Sequence, residues 1–203
     1  MQSVTKWYIQ LGEWGFNLFF LNLMWFIFSI MGALVLGLFP STVALFAVIR
    51  KLSLENDSDI NIFKLFWHYF RNDFIRSNVI GYCITLIGLF LYLDLRLVLQ
   101  FKNSFINQLI VISLIIFIIL YIITIFNLFP LYVHYNLKTL EYFKSAFILT
   151  IARPLQSLLV SFSLVIVYML FRFIPGLIPA FGMSLTCLII YKVASLSFQK
   201  IKP

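Results

Sequence analysis

The chain has 203 residues, of which 63% are hydrophobic and only 11% are charged, whereas soluble domains average about 45–50% apolar and about 25% charged residues. This composition excludes a soluble single domain and predicts an integral membrane protein with no separate catalytic domain of the usual size of about 100–150 residues. The formal net charge of +8 favours basic cytoplasmic ends over a nucleic-acid partner, because the chain has neither a dense basic cluster nor a recognition motif.

Uninterrupted apolar stretches predict five transmembrane helices, since each stretch is long enough to cross the hydrocarbon core of a bilayer. The first stretch is too long for the apolar region of a signal peptide, so we expect it to remain in the protein. The five stretches are 14–38, 78–100, 107–129, 155–174 and 177–196.

The first span carries a series of small residues. Ser29, Ala33 and Gly37 recur at every fourth position. This spacing lets two helix backbones approach closely, and it therefore predicts a helix-packing surface.

The Lys and Arg residues of a membrane protein concentrate in its cytoplasmic connections. Placing segments 39–77, 130–154 and the C-terminus inside predicts an external N-terminus and a cytoplasmic C-terminus. A hairpin of two short helices within residues 31–50 is the alternative, and it would place the N-terminus inside as well. Of the 15 basic residues, the first arrangement leaves outside only Lys6, Arg96, Lys102 and Arg172.

Two segments are expected to lie as amphipathic helices on the inner membrane surface. Residues 62–76 place Phe side chains at helical spacing on one side and basic residues on the other, with Asp59 as a candidate N-cap. The second segment, 131–138, begins directly after Pro130. Lipid alone explains such helices, but a partner subunit is a second interpretation. The candidate partner-binding side chains are Phe63, Phe66, Trp67, Phe70 and Arg71.

A Phe-Pro pair occurs twice, at Phe39-Pro40 and at Phe129-Pro130. Proline lacks a backbone donor and disfavours helix at the preceding residue, so we expect both helices to break there, close to the inner headgroups. The recurrence also suggests a parallel internal repeat, about 14–100 and 107–174, within a single transmembrane domain over 1–203. Chance recurrence in a chain with 24 Phe residues is the alternative.

Ionisable groups at membrane depth are few. Asp94 and Arg172 lie near the outer ends of the second and fourth spans, which predicts an ion pair between them, with contact to an external ligand or partner as the alternative. Cys83 and Cys187 lie inside apolar stretches, so neither a disulfide nor a metal site is expected. The sequence has no HExxH, GxSxG, P-loop or paired-carboxylate motif, so we expect no enzymatic activity and no cofactor.

Four stretches resemble the YesL family of small bacterial membrane proteins. They are GLFPSTVALFAVIRKL (37–52), FKLFWHYFRNDFIRSN (63–78), GLFLYLDLR (88–96) and FPLYVHYNLK with ARPL (129–155). The resemblance covers nearly the whole chain, and Ser41 stands where the family motif usually has Ala. The positions that match the family motifs are Gly37, Pro40, Thr42, Arg50, Asn78, Pro130, His134, Arg153 and Pro154.

Genes of this family often lie beside genes for carbohydrate ABC importers, so the resemblance implies a link to oligosaccharide uptake. We therefore expect an all-α polytopic membrane protein that acts as a non-catalytic accessory subunit of such an importer. Its expected partners are permease or ATPase subunits and anionic lipid of the inner leaflet. The alternative is a solute-binding or transport component in its own right, with a central cavity lined by Asn17, Asn22, Tyr82 or Thr85.

Overall fold

The computed structural model describes residues 2–54, 61–101 and 104–198, and all regular structure in these ranges is helical. Helices dominate because a chain in hydrocarbon must satisfy its backbone hydrogen bonds internally. Five of the helices are long and apolar enough to cross a membrane, which confirms the predicted fold class. The helices are α1 (Gln2–Met31), α2 (Leu38–Leu54), α3 (Ile62–Asn72), α4 (Phe74–Val98), α5 (Phe105–His134), α6 (Thr139–Ala152), α7 (Pro154–Phe173) and α8 (Leu177–Phe198).

Helix α2 lies at the centre of the bundle. It contacts α1, α3, α4, α5 and α8, and every residue from Pro40 to Ile49 is buried. The chain reverses between α1 and α2, and Trp25 Nε1 donates to Thr42 Oγ1 across this hairpin at 3.1 Å. Residues 40–49 fall within the stretch 39–77 that is predicted to be a cytoplasmic connection, but they form a buried helix. Helices of similar composition occur in contact with lipid, with water or with protein. The burial of α2 therefore does not follow from its sequence.

Small residues allow the turn between α1 and α2 to close. A Cβ atom on Gly37 would lie 2.5 Å from the carbonyl oxygen of Ser29, and one on Gly32 would lie 2.3 Å from the Cα of Gly37. Helix α1 ends at Met31, so Ala33 and Gly37 belong to the turn and share no helical face with Ser29. The close backbone approach occurs between the two arms of the hairpin.

Helices α1 and α8 run antiparallel. Asn22 accepts a hydrogen bond from the N–H of Met183 near the start of α8, and Trp14 packs against the ammonium of Lys192 near the end of α8, at 5.3 Å. The start of α1 and the end of α8 consequently lie at the same end of the bundle. Both termini thus lie at one end, as in the hairpin alternative and unlike the map with an external N-terminus, but the hairpin is formed by α1 and α2 and not by two short helices within 31–50.

Both Phe-Pro pairs are helical, so the prediction of broken helices was wrong. Phe39 and Pro40 are in the first turn of α2, where a proline removes no hydrogen bond within the helix. Pro130 lies inside α5, which continues to His134. Helix α5 ends at the end of the bundle where α1 begins, so the first helices of the two suggested repeat units run in opposite directions.

Helix α3 corresponds to the first predicted amphipathic helix but ends earlier, at Asn72. Its N-cap is Asn61, whose side chain accepts a hydrogen bond from the N–H of Lys64 at 3.0 Å. The predicted cap, Asp59, lies outside the described residues.

The second predicted amphipathic helix, residues 131–138, does not form: its first four residues belong to the end of α5. The chain between His134 and Thr139 is not helical, and α6 follows. The carboxylate of Glu141 accepts the N–H of Lys138 at 3.0 Å, which satisfies a backbone donor at the start of α6. Helix α7 begins directly after α6, with Pro154 in its first turn.

Asp94 and Arg172 form no ion pair. Helix α4 packs against α2, α3 and α5, whereas α7 packs against α5, α6 and α8. The predicted pair was wrong because the order of helices around the bundle separates the two residues.

Candidate functional site

The end of α2, the junction of α3 and α4, the end of α5 and the start of α6 meet at one end of the bundle. We call it the basic end because it carries Arg50, Arg76, Lys138 and Lys192. The segments enclose a recess of about 250 Å³, the basic-end cleft. Its lining residues are Ala47, Arg50, Tyr69, Asp73, Arg76, Tyr132, Val133, His134, Tyr135, Asn136 and Tyr142.

Arg76 fixes the start of α4 to the segment between α5 and α6. Its guanidinium donates to the carbonyl oxygen of Leu137 and, at 3.4 Å, to Oδ1 of Asn136. The same group lies 5.6 Å and 5.1 Å from the ring centroids of Tyr132 and Tyr142, within cation–π distance. Arg76 is therefore occupied by contacts inside the protein.

Two tyrosines complete this network. The Tyr132 hydroxyl donates to Oδ1 of Asp73 at 2.8 Å. The Tyr142 hydroxyl donates to the carbonyl oxygen of Tyr135 at 2.7 Å and accepts the N–H of Leu137 at 3.0 Å. These bonds hold the wall of the cleft in one geometry, as a preformed binding site requires.

Arg50 differs from Arg76 in its contacts. Its Nε atom is buried and has no hydrogen-bond partner among the described residues. The lining contains two arginines, Arg50 and Arg76, and one carboxylate, Asp73, which leaves one excess positive charge. The planar guanidinium of Arg50 suits a carboxylate or a phosphate. An anionic group is thus the ligand that fits the cleft chemically.

The structure brings together two of the family-motif residues in the cleft, Arg50 and His134. Pro130 is buried one turn before His134 in α5, and Pro40 is buried in α2. Arg153 lies at the junction of α6 and α7, outside the cleft lining. Only part of the motif therefore converges on this site.

The candidate partner-binding residues of α3 divide between two faces. Phe66 and Phe70 are buried, and both ring centroids lie 5.1 Å from that of Phe28 in α1. These two side chains anchor α3 and are not available to a partner. The candidates that remain exposed are Phe63, Trp67 and Arg71.

Sequence patterns alone do not identify Asp73, Tyr132 or Tyr142 as site residues. Asp73 interrupts the amphipathic pattern between α3 and α4, which was an available signal. The convergence of the two tyrosines on this residue depends on how α4 packs against α5 and α6, which a single sequence does not encode locally.

Three of the four side chains expected to line a transport cavity, all except Asn17, bond backbone groups. Asn22 is fully buried and bonds α8. The Tyr82 hydroxyl donates to the carbonyl oxygen of Val35 at 3.0 Å, and Thr85 Oγ1 donates to that of Gly81 at 2.9 Å. Within the described ranges, no three His, Cys, Asp or Glu side chains are grouped to hold a metal ion.

Residues 18–95 match a family described as a protein of unknown function, DUF624. The chain is 33% identical to the uncharacterized protein YteU of Bacillus subtilis (strain 168) over 173 residues, which is 85% of this chain and 77% of YteU. It is 31% identical to YesL of the same organism over 187 residues, 92% of this chain and 87% of YesL. For YesV the identity is 33% over 182 residues, 89% of this chain and 86% of YesV. No solved structure matches the chain.

Proposed function

Because the chain belongs to the DUF624 family of YesL-like membrane proteins, we propose that it is a non-catalytic accessory subunit of a carbohydrate ABC importer. The resemblance described above supports the link to oligosaccharide uptake. One observation supports docking: the basic-end cleft holds a buried guanidinium nitrogen of Arg50 without a hydrogen-bond partner.

The basic end faces the cytoplasm in this proposal. Lys and Arg residues concentrate there, as the positive-inside rule requires of cytoplasmic ends. Both the start of α1 and the end of α8 are then cytoplasmic. This orientation places the cleft and α3 where cytoplasmic loops of a permease or an ATPase subunit can reach them. The described basic residues at the opposite end are Arg96 and Arg172.

An acidic side chain from a permease loop is the proposed occupant of the cleft. Its carboxylate would pair with Arg50, and a hydrogen bond to a charged group contributes about 1.5–3 kcal/mol. The exposed rings of Phe63 and Trp67 supply aromatic contacts of the kind that dominate protein interfaces. Phe66 and Phe70 hold α3 in place for this contact.

Co-purification from the native host tests the proposal. The full chain, tagged and expressed near its natural level, should recover permease or ATPase subunits in mild detergent. Arg50→Gln and Trp67→Ala should lower this recovery. Arg96→Gln and Phe162→Ala are matched controls, because both wild-type side chains are exposed on other helices.

Recovery of the chain without importer subunits would contradict the proposal. Unchanged recovery with folded Arg50→Gln and Trp67→Ala variants would contradict the assigned docking surface. The alternative of autonomous transport would gain support if vesicles containing only this chain took up labelled oligosaccharide. No described contact favours that alternative, because the polar groups of Asn22, Tyr82 and Thr85 bond backbone atoms.

A further inference from the structure

A second recess lies away from the basic end, between α1, α7 and α8. Its volume is about 540 Å³. Arg172, in the last turn of α7, is the one charged side chain of the lining; the others are apolar, aromatic or glycine. The lining residues are Trp25, Phe26, Tyr168, Phe171, Arg172, Ile178, Gly182 and Met183.

A further apolar recess lies between α5 and α7. Its volume is about 370 Å³, and Tyr168 lines both recesses. On α7 the lining extends from Arg172 to Ser161, which at a rise of 1.5 Å per residue is about 16 Å. One leaflet of a bilayer has a hydrocarbon depth of about 15 Å. The two recesses share Tyr168 and are here together called the α7 groove; along α7 their lining extends over about the depth of one leaflet.

The surroundings of Arg172 suit the binding of an external anion. It is exposed, it forms no ion pair with Asp94, and the groove presents no carboxylate. It lies three residues before the turn that joins α7 to α8, where a phospholipid headgroup would lie if α7 crosses the membrane. Among the described residues, the lining of the groove thus carries one net charge, the positive charge of Arg172, beside apolar side chains.

We propose that the α7 groove binds an anionic phospholipid, with its phosphate on the Arg172 guanidinium and its acyl chains along α7. Arg recognises phosphate through two parallel N–H donors. The aromatic and aliphatic walls of the groove separate the acyl chains from other lipids. Tyr168 lines both recesses of the groove. The site faces the leaflet opposite the basic end and is independent of the importer proposal.

Native mass spectrometry of the purified full chain with dioleoyl phosphatidylglycerol or dioleoyl phosphatidylcholine tests this site. Phosphatidylglycerol should bind at least about tenfold more tightly, and Arg172→Gln should remove at least about tenfold of that affinity, because it abolishes the charge-assisted hydrogen bonds to the phosphate. Arg172→Lys should keep part of it. Arg96→Gln, a change of an exposed arginine at the end of α4, is the matched control.

Filling the groove provides a second variant. A Cβ atom on Gly182 would meet only Ile178 Cγ2, at 3.5 Å, so Gly182→Leu should fold and occupy space required by an acyl chain. It should weaken phosphatidylglycerol binding while Arg172 is retained. Equal binding of the two lipids would overturn the proposal. So would equal losses for Arg172→Gln and Arg96→Gln, or full binding by a folded Gly182→Leu variant.

Discussion

The side-chain amide of Asn22 in α1 bonds two backbone groups of α8 that lie four residues apart, the N–H of Met183 and the carbonyl of Pro179. The N–H of Met183 donates to Asn22 Oδ1 at 3.0 Å, and Asn22 Nδ2 donates to the carbonyl oxygen of Pro179 at 2.7 Å. In a regular helix, the N–H of Met183 would bond the carbonyl of Pro179 itself, four residues earlier. One amide thus joins two helices and leaves neither backbone group unsatisfied in a region without water.

Asn22→Leu should destabilise the protein by about 1 kcal/mol, the typical size of an interhelical hydrogen bond in a membrane. The loss stays moderate because Met183 and Pro179 can then bond each other. Asn22→Asp should cost more, since a buried carboxylate cannot donate to the Pro179 carbonyl. Unfolding in mixed micelles measures both. Asn17→Leu is the control, and an equal loss for it would argue against the specific role of Asn22.

Asn78 compensates for the missing backbone donor of Pro40. Residue 40 would normally bond the carbonyl of Leu36, which instead accepts Asn78 Nδ2 at 2.9 Å. Asn78→Leu should therefore destabilise the wild type by about 1–2 kcal/mol. In a Pro40→Ala background the new N–H can take the Leu36 carbonyl, so the same change should cost about 1 kcal/mol less. A double-mutant cycle measures this coupling, and additivity would contradict it.

Hydropathy predicts the long helices but does not tell which of them are buried. The most apolar window of α5 has none of its residues buried, whereas Pro40–Ile49 in α2 are buried throughout. Lipid is as apolar as a protein core, so a helix facing lipid and one at the centre of a bundle place similar demands on composition. The central position of α2 follows from packing and hydrogen bonds between distant segments.

The candidate site is likewise only partly predictable from the sequence. The resemblance singled out Arg50 and His134, and the structure places both in the basic-end cleft. The spacing of Phe residues predicts the aromatic face of α3. It does not predict which of these rings are buried, because that depends on their contact with Phe28 of α1. The Asp73–Tyr132 hydrogen bond joins residues far apart in the chain, and periodicity carries no information about such pairs.

Ala33 is strained in the turn between α1 and α2, where its φ angle is 54°. A residue with a side chain pays about 1–2 kcal/mol for this left-handed conformation, and glycine does not. Ala33→Gly should therefore raise the unfolding temperature. Gly37→Ala should lower it, because its Cβ would lie 2.5 Å from the Ser29 carbonyl oxygen. Gly176→Ala, where no atom lies within 4 Å, is the matched control. Thermal unfolding of Ala33→Gly below the wild-type temperature would contradict the assignment.

Cysteine labelling tests the arrangement of the termini. In a Cys83→Ser, Cys187→Ser background, cysteines replacing Glu13 and Leu140 should react from the same side of the membrane. Both positions are exposed; Glu13 lies beside Trp14 in α1 and Leu140 is in the first turn of α6. A cysteine replacing Gln100, in the turn after α4, should react from the opposite side. Reaction of Glu13→Cys and Gln100→Cys from the same side of the membrane would instead support an external N-terminus.

The turn between α1 and α2 should lie within the hydrocarbon. Leu34 and Val35 are 58% and 66% exposed, yet the turn has no polar side chain. The Leu34 N–H bonds the Ser29 carbonyl, and the Val35 carbonyl accepts the Tyr82 hydroxyl, so this backbone does not need water. Lipid is then the medium that covers the exposed side chains.

A cysteine at Val35 in the same background measures this directly. Val35→Cys should resist a water-soluble maleimide added to either side of intact membranes, although its side chain is exposed in the structure. It should react after the protein is unfolded in sodium dodecyl sulfate, which shows that the thiol itself is competent. Leu140→Cys, exposed at the basic end, should react without unfolding. Rapid labelling of Val35→Cys in intact membranes would place the turn in water and make α1–α2 a hairpin that crosses the full bilayer.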